Sequence, residues 1–113
     1  WWSDKIGFRA ETTLPFYYYD FETESELNLM AVPFTAMDGA FYDHGNVTAT
    51  SAYNELMDLA ALVKSVNGLF ITVIHERSFS DAIAPGWKDL YLKLHENLKD
   101  WYLFNFFLQI PLQ

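Results

Sequence analysis

The sequence contains no cysteine, and this absence excludes several kinds of site. Without thiols the chain can form neither a disulfide framework nor a zinc site or iron–sulfur cluster held by thiolates. The sequence also lacks any run of about 20 apolar residues, the length that a membrane-spanning helix requires. We therefore expect no membrane span. The compartment stays open, because proteins without cysteine function on either side of a membrane.

Basic residues are scarce. The chain has 7 Lys and Arg against 15 Asp and Glu, which gives a formal net charge of −8. A negative surface repels phosphate groups, so we expect no nucleic-acid partner and no attraction to an anionic membrane surface. The charge permits a cationic ligand, for example a polymer that contains glucosamine, but does not by itself select one.

Aromatic residues, in contrast, are abundant. They make up 19% of the 113 residues, with 10 Phe, 7 Tyr and 4 Trp. Large flat side chains bury much apolar area, so most of them are expected in the core of one domain of ordinary size. The alternative is a carbohydrate site, in which aromatic faces pack on sugar rings.

The second half of the chain shows clear periodicity. Apolar residues at helical spacing predict a helix over 51–66, with N-cap candidates at Thr48, Thr50 and Ser51 and a stop at Asn67-Gly68. The apolar run Leu69–His75 is typical of a strand buried on both faces, as in parallel sheets. A second apolar stripe predicts a helix over 86–102, with Trp87 at its start.

The first half is less regular. It predicts a strand over 15–20, an acidic turn, a strand over 27–33 and a short strand over 35–38, followed by a loop over 39–46. Residues 5–8 are a further strand candidate. The order of strands, helix, strand and helix indicates an α/β architecture with parallel pairing. The apolar end, 103–113, is expected to pack as a last strand or against a partner.

Three polar residues follow predicted strands. In parallel sheets functional groups collect at the carboxyl ends of strands, and this rule nominates Arg9, Asp38 and His75. Histidine suits general acid catalysis, and a carboxylate such as Asp38 on its second ring nitrogen would fix its tautomer. Each residue also has a structural interpretation: His75 as a hydrogen-bonded structural residue, Asp38-Gly39 as a turn, and Arg9 as an ion-pair partner of Glu11 or Asp38.

Three segments in order resemble motifs of the bacterial polysaccharide deacetylases, the NodB-like carbohydrate esterases. Gly7–Asp20 is similar to the arginine motif of Bacteroidetes-type members, with Glu11 where a glycine is usual. Val32–Gly39 resembles the aspartate motif, although Ala40 and Phe41 follow where a tryptophan is typical. Ile71–Glu76 resembles the last motif, a hydrophobic strand that ends in histidine.

The resemblance covers about residues 6–102 and implies the C-terminal part of a distorted (β/α) barrel. The Asp-Asp and His-x-x-x-His motifs of the family, which supply the base and the metal ligands, precede the arginine motif. The chain begins with Trp1-Trp2 rather than methionine. We therefore expect residues 1–113 to be a single partial domain whose N-terminal half is absent, inactive by itself and without a metal ion of its own.

The resemblance also implies roles for individual residues. His75 would be the catalytic acid that protonates the departing amine, Asp38 would tune that histidine, and Arg9 would hold the catalytic-base aspartate. Phe41 is expected to supply a wall of the acetyl pocket, and Trp87 is a second aromatic candidate for contact with substrate. A divalent metal ion, usually zinc, would act in the complete parent domain.

These observations leave three functions open. The first is a fragment of a metal-dependent hydrolase that removes N-acetyl or O-acetyl groups from a polysaccharide or an acetylated amino sugar. The second is a non-catalytic carbohydrate-binding or interaction module on the same scaffold, and the third is a small α/β domain of another role. Because a half-barrel has open sheet edges, we expect self-association or pairing with the missing N-terminal half.

Overall fold

The computed structural model describes residues 6–8, 10–43 and 47–101, and it shows a mixed α/β chain with two small sheets. The first sheet is an antiparallel hairpin of β1 (Phe16–Asp20) and β2 (Ser25–Ala31). The second joins β3 (Ala36–Met37) to β4 (Thr72–Val73) in parallel. The described part of the chain forms no closed barrel, and the partial barrel stays a prediction.

In the part of the chain that the structure describes, three α-helices accompany the sheets: α1 (Asp38–Tyr42), α2 (Ala49–Ser65) and α3 (Trp87–Leu98). Two short 3₁₀ helices, Glu76–Phe79 and Lys99–Trp101, follow β4 and α3. No helix in the described ranges is long and apolar enough to cross a membrane.

The two long helices agree with their sequence patterns. Thr48 is the N-cap of α2, where its hydroxyl accepts a hydrogen bond from the N–H of Ser51 at 3.3 Å. Asn67 adopts the left-handed conformation, with φ 53°, just after the helix ends. The stripe of α3 is buried as predicted, and the helix begins after Gly86, which has φ 79°.

The hydrophobic core lies between α2, α3 and the short parallel sheet. Its buried members come from every one of these elements, with Phe41 from α1. They are Ala36, Phe41, Ala52, Leu56, Ala60, Ala84, Trp87, Leu90, Leu94 and Leu98. At about 25 cal/mol per Å² of apolar surface, this burial supplies the main stabilising contribution to the fold.

Several sequence-based expectations for local structure were wrong. The predicted loop over 39–46 begins as helix α1, and the predicted strand over 69–75 pairs only at Thr72–Val73. The ladder is short because its partner β3 ends where Asp38 starts α1. Residues 6–8 are not a strand. The expected last strand over 103–113 lies outside the described residues.

Candidate active site

The site forms where β3 and β4 end side by side. The two strands are parallel, with Ala36 opposite Thr72 and Met37 opposite Val73. Asp38 directly follows β3, and His75 lies two residues beyond β4. The structure therefore brings these two sequence-predicted residues together at the carboxyl edge of the sheet, which is where parallel sheets carry functional groups.

Asp38 is the centre of the site. Its side chain is buried, and it accepts four hydrogen bonds. The first oxygen, Oδ1, accepts from the N–H of Gly39 at 2.6 Å and from Nδ1 of His75 at 2.5 Å. The second, Oδ2, accepts from the N–H of His75 at 2.6 Å and from the hydroxyl of Ser78. A buried carboxylate is costly unless it is fully hydrogen-bonded, and these four donors meet that requirement.

The contact with Asp38 fixes the tautomer of His75. A carboxylate with four donors acts only as an acceptor, so Nδ1 of the imidazole must carry the hydrogen. In the neutral ring Nε2 is then the acceptor, and in the charged ring it is a donor. The imidazole is 24% exposed while the Asp38 side chain is 0% exposed, so the ring remains accessible although its partner does not.

Ser78 and Tyr42 extend the network away from the histidine. Ser78 lies in the 3₁₀ helix after His75, which turns back so that the N–H of Ser78 donates to the carbonyl of His75 at 3.0 Å. Its hydroxyl hydrogen goes to Asp38, so the Tyr42 phenol must donate to Oγ of Ser78, at 2.8 Å. Burial raises the pKa of Tyr42, so the phenol stays protonated and remains a donor at neutral pH.

Arg77 and Asp43 form an ion pair at the edge of this network. The guanidinium donates to the Asp43 carboxylate, and its carbon lies 5.2 Å from the centre of the Tyr42 ring. Both partners are about one-third exposed, with 38% for Arg77 and 32% for Asp43. A pair so exposed adds little stability by itself. The ion pair instead places the planar guanidinium of Arg77 over the face of the Tyr42 ring, in a cation–π contact.

The sequence did not reveal Ser78, Tyr42, Arg77 or Asp43 as parts of the site. A serine or arginine in a polar loop has no periodic pattern that marks it as buried. The one available signal was position: Ser78 lies three residues after the candidate histidine, where a single helical turn returns the chain to His75.

The two proposed substrate-contacting aromatics lie in the hydrophobic core. Phe41 is 0% exposed and Trp87 is 2% exposed. Their ring centroids lie 5.6 Å apart, and Trp87 also contacts Tyr42 edge-on at 5.4 Å. Trp87 of α3 thus packs against Phe41 and Tyr42 of α1, and contact with a substrate stays a prediction for both Phe41 and Trp87. Arg9, the third predicted catalytic residue, lies outside the described residues.

The described residues do not fit a metal ion. Both oxygens of Asp38 are already hydrogen-bonded, and Nδ1 of His75 is committed to Asp38. Within residues 6–8, 10–43 and 47–101 no group of three or more His, Asp or Glu side chains is arranged to hold a metal. At the Asp38–His75 site Nε2 of His75 is the donor that remains available, and one donor does not make a metal site.

Comparisons with known proteins return no relatives. No family model, no curated protein and no solved structure matches the chain. The chemistry of the site is therefore inferred from its geometry: a buried carboxylate orients an accessible imidazole, which can give or take a proton at Nε2.

Proposed function

We propose that the chain is the C-terminal part of a metal-dependent hydrolase that removes acetyl groups from a polysaccharide. The observation that carries this proposal is the 2.5 Å contact between Asp38 and Nδ1 of His75 at the ends of two neighbouring parallel strands. In the motifs that the chain resembles, an aspartate and a histidine have the corresponding roles. The geometry is the one that a general acid requires.

In this proposal His75 acts as the acid and Asp38 as its positioning residue. The imidazolium gives its Nε2 proton to the leaving nitrogen of the amide, or to the leaving oxygen of an ester. It becomes a neutral imidazole that keeps its hydrogen on Nδ1. The Asp38 carboxylate holds the ring in that tautomer before and after the transfer. Asp38 can do this because two backbone N–H groups and Ser78 fix its own position.

The conformation of Glu11 is compatible with the resemblance on which the proposal draws. Its backbone has φ 57°, in the left-handed region that favours glycine. The arginine motif of the resembled family usually has a glycine at this position. Glu11 stands where the motif has glycine, and its backbone has a conformation that glycine adopts readily.

The metal ion of such a hydrolase would polarise the acetyl carbonyl and activate water, and its ligands would have to come from outside the described residues.

The alternative function, a non-catalytic carbohydrate-binding module, is favoured by the exposed aromatic residues of the β1–β2 hairpin.

The test is release of acetate by the full-length gene product, supplied with a divalent metal, from N-acetylglucosamine oligomers and O-acetylated xylan. We expect His75→Ala to lower kcat/KM by about 10²–10⁴, the usual contribution of a positioned acid. His95→Ala is the matched control, because His95 is exposed on α3 and stacks on Tyr91 at a ring distance of 6.3 Å. No acetate release with either substrate, or equal activity of the two variants, would overturn the proposal.

A further inference from the structure

The β1–β2 hairpin projects from the body of the protein with an unusual surface. Every residue from Leu14 to Tyr19 and from Phe21 to Met30 is exposed. The large side chains among them are 38–86% exposed, with Phe16 at the lower limit and Phe21 at the upper. A two-stranded ribbon with no second layer packed on it is only marginally stable in water. The apolar side chains of this hairpin therefore remain in contact with solvent.

One face of the hairpin carries a row of aromatic rings. Tyr17, Tyr19 and Phe21 occupy alternate positions in the chain, the spacing that places side chains on one face of a strand. The ladder is irregular between Tyr17 and Tyr19, and Phe21 lies in the turn just after β1. Tyr17 pairs with Met30 and Tyr19 with Glu26 across the two strands. The rings of Tyr19 and Phe21 meet at a centroid distance of 5.4 Å. The result is an extended apolar strip with phenol hydroxyls along it and a carboxylate beside it.

The charge of the hairpin decides what could cover this strip. Asp20, Glu22, Glu24 and Glu26 follow one another at alternate positions around the turn, and no lysine or arginine occurs between Arg9 and Lys64. Hydrogen bonds from the N–H of Glu22 and the hydroxyl of Thr23 lower the pKa of Asp20. At neutral pH a second copy of the hairpin would be repelled, while a cationic partner would be attracted.

We propose that the face formed by Tyr17, Tyr19, Phe21 and Met30 binds a polymer of protonated glucosamine, with Glu22, Glu24 and Glu26 pairing with its ammonium groups. Sugar rings present C–H faces that pack flat on tyrosine, and phenol hydroxyls bond to sugar hydroxyls. The choice of an amino sugar over other cations rests on the proposed function, since removal of N-acetyl groups leaves amines along the polymer. The hairpin would then bind the product chain of the proposed reaction.

The test is titration of the purified chain by calorimetry with glucosamine oligomers, with N-acetylglucosamine oligomers of equal length, and with a lysine peptide of equal charge. We expect the glucosamine oligomer to bind at least tenfold more tightly than either of the others, and its binding to weaken as salt is raised to about 0.5 M. We expect Glu22→Gln, Glu24→Gln and Glu26→Gln together to lower the affinity at least tenfold. Tyr17→Leu with Tyr19→Leu should do the same, since it keeps apolar area but removes the rings.

The matched control neutralises three exposed carboxylates outside the hairpin, with Asp58→Asn, Asp89→Asn and Asp100→Asn. It changes the net charge by the same amount and should bind almost as tightly as the unaltered chain. An equal loss in this control would reduce the effect to net charge and overturn the proposal. Equal binding of the lysine peptide would make the hairpin a peptide-binding surface, and equal binding of the N-acetylated oligomer would exclude recognition of the amines.

The binding test and the acetate test have independent outcomes, so failure of the hairpin proposal can be told from failure of the hydrolase proposal. His95→Ala should leave both the affinity for glucosamine oligomers and the release of acetate unchanged, because His95 is exposed on α3, outside the hairpin and outside the site. Binding without acetate release would retain the hairpin site and overturn the hydrolase. Acetate release without binding would do the reverse. Circular dichroism of each variant shows whether it is folded.

Discussion

At the scale of the residue, the site depends on the number of hydrogen-bond donors that surround one buried carboxylate. Asp38 accepts from two backbone N–H groups, an imidazole and a serine hydroxyl, and the orientation of His75 follows from that arrangement. Removing any one donor would leave one carboxylate oxygen with a single hydrogen bond, and a hydrogen bond to a charged group contributes about 1.5–3 kcal/mol. The histidine is therefore positioned by the same bonds that make the burial of Asp38 possible.

Glu11 provides a prediction about stability at a single residue. A side chain with a Cβ atom at φ 57° is strained, and glycine is not. Glycine also loses more entropy on folding, which offsets part of the gain. We expect Glu11→Gly to raise the free energy of unfolding by about 0.5–1 kcal/mol, measured by thermal or urea denaturation.

Two controls separate backbone strain from charge and from composition. Glu11→Gln removes the charge but keeps the strain, so it should change stability less than Glu11→Gly does. Glu55→Gly places the same substitution inside α2, where φ is helical, and should destabilise by about 1 kcal/mol. A loss of stability in Glu11→Gly would show that the left-handed backbone at this position is not strained.

At the scale of the element, the segment before the hairpin contacts the segment before β4 through close packing of Thr13 against Gly68. The hydroxyl of Thr13 donates to the carbonyl of Leu69 at 2.6 Å, and the N–H of Leu69 donates to the carbonyl of Thr13 at 3.1 Å. A Cβ atom on Gly68 would overlap the methyl group of Thr13. Glycine at this position allows the segment before the hairpin to approach the segment before β4.

Gly68→Ala is therefore expected to lower the free energy of unfolding by about 1–3 kcal/mol, the usual cost of overpacking. Thr13→Ser removes the overlapping methyl group and retains the hydroxyl. The double variant should recover part of the loss, and a thermodynamic cycle of urea denaturation measures the coupling. Additive effects of the two substitutions would contradict a direct contact.

The helices and the site show which features of the structure could be predicted from sequence patterns and which could not. The helices α2 and α3 were predicted nearly to their ends because their apolar stripes face one core. The helix α1 was missed because Asp38-Gly39 is typical of a turn, and only tertiary bonds to Asp38 support a helix of five residues there. The meeting of Asp38 and His75 followed from the rule for strand ends, whereas the role of Ser78 depends on a fold-back that no local pattern encodes.

At the scale of the whole molecule, exposed apolar surface and net charge oppose each other. The hairpin alone exposes eight large hydrophobic residues. They are Phe16, Tyr17, Tyr18, Tyr19, Phe21, Leu27, Leu29 and Met30. Contiguous apolar surface of this kind favours association. The net charge of −8 works against it, because copies of the chain repel one another at neutral pH.

Self-association should therefore increase as this repulsion weakens. The isoelectric point is about 4.6, so lowering the pH from 7 towards 5 removes most of the negative charge, and added salt at pH 7 screens it. We expect sedimentation velocity to show a larger mean mass at pH 5 than at pH 7, and at pH 7 a larger mass in about 0.5 M salt than in about 0.02 M salt. The variant with Tyr17→Leu and Tyr19→Leu keeps apolar area and should still associate, whereas Phe21→Ser with Met30→Ser should associate less. A monomer at every concentration, pH and salt would show that the exposed face does not pair copies of this chain.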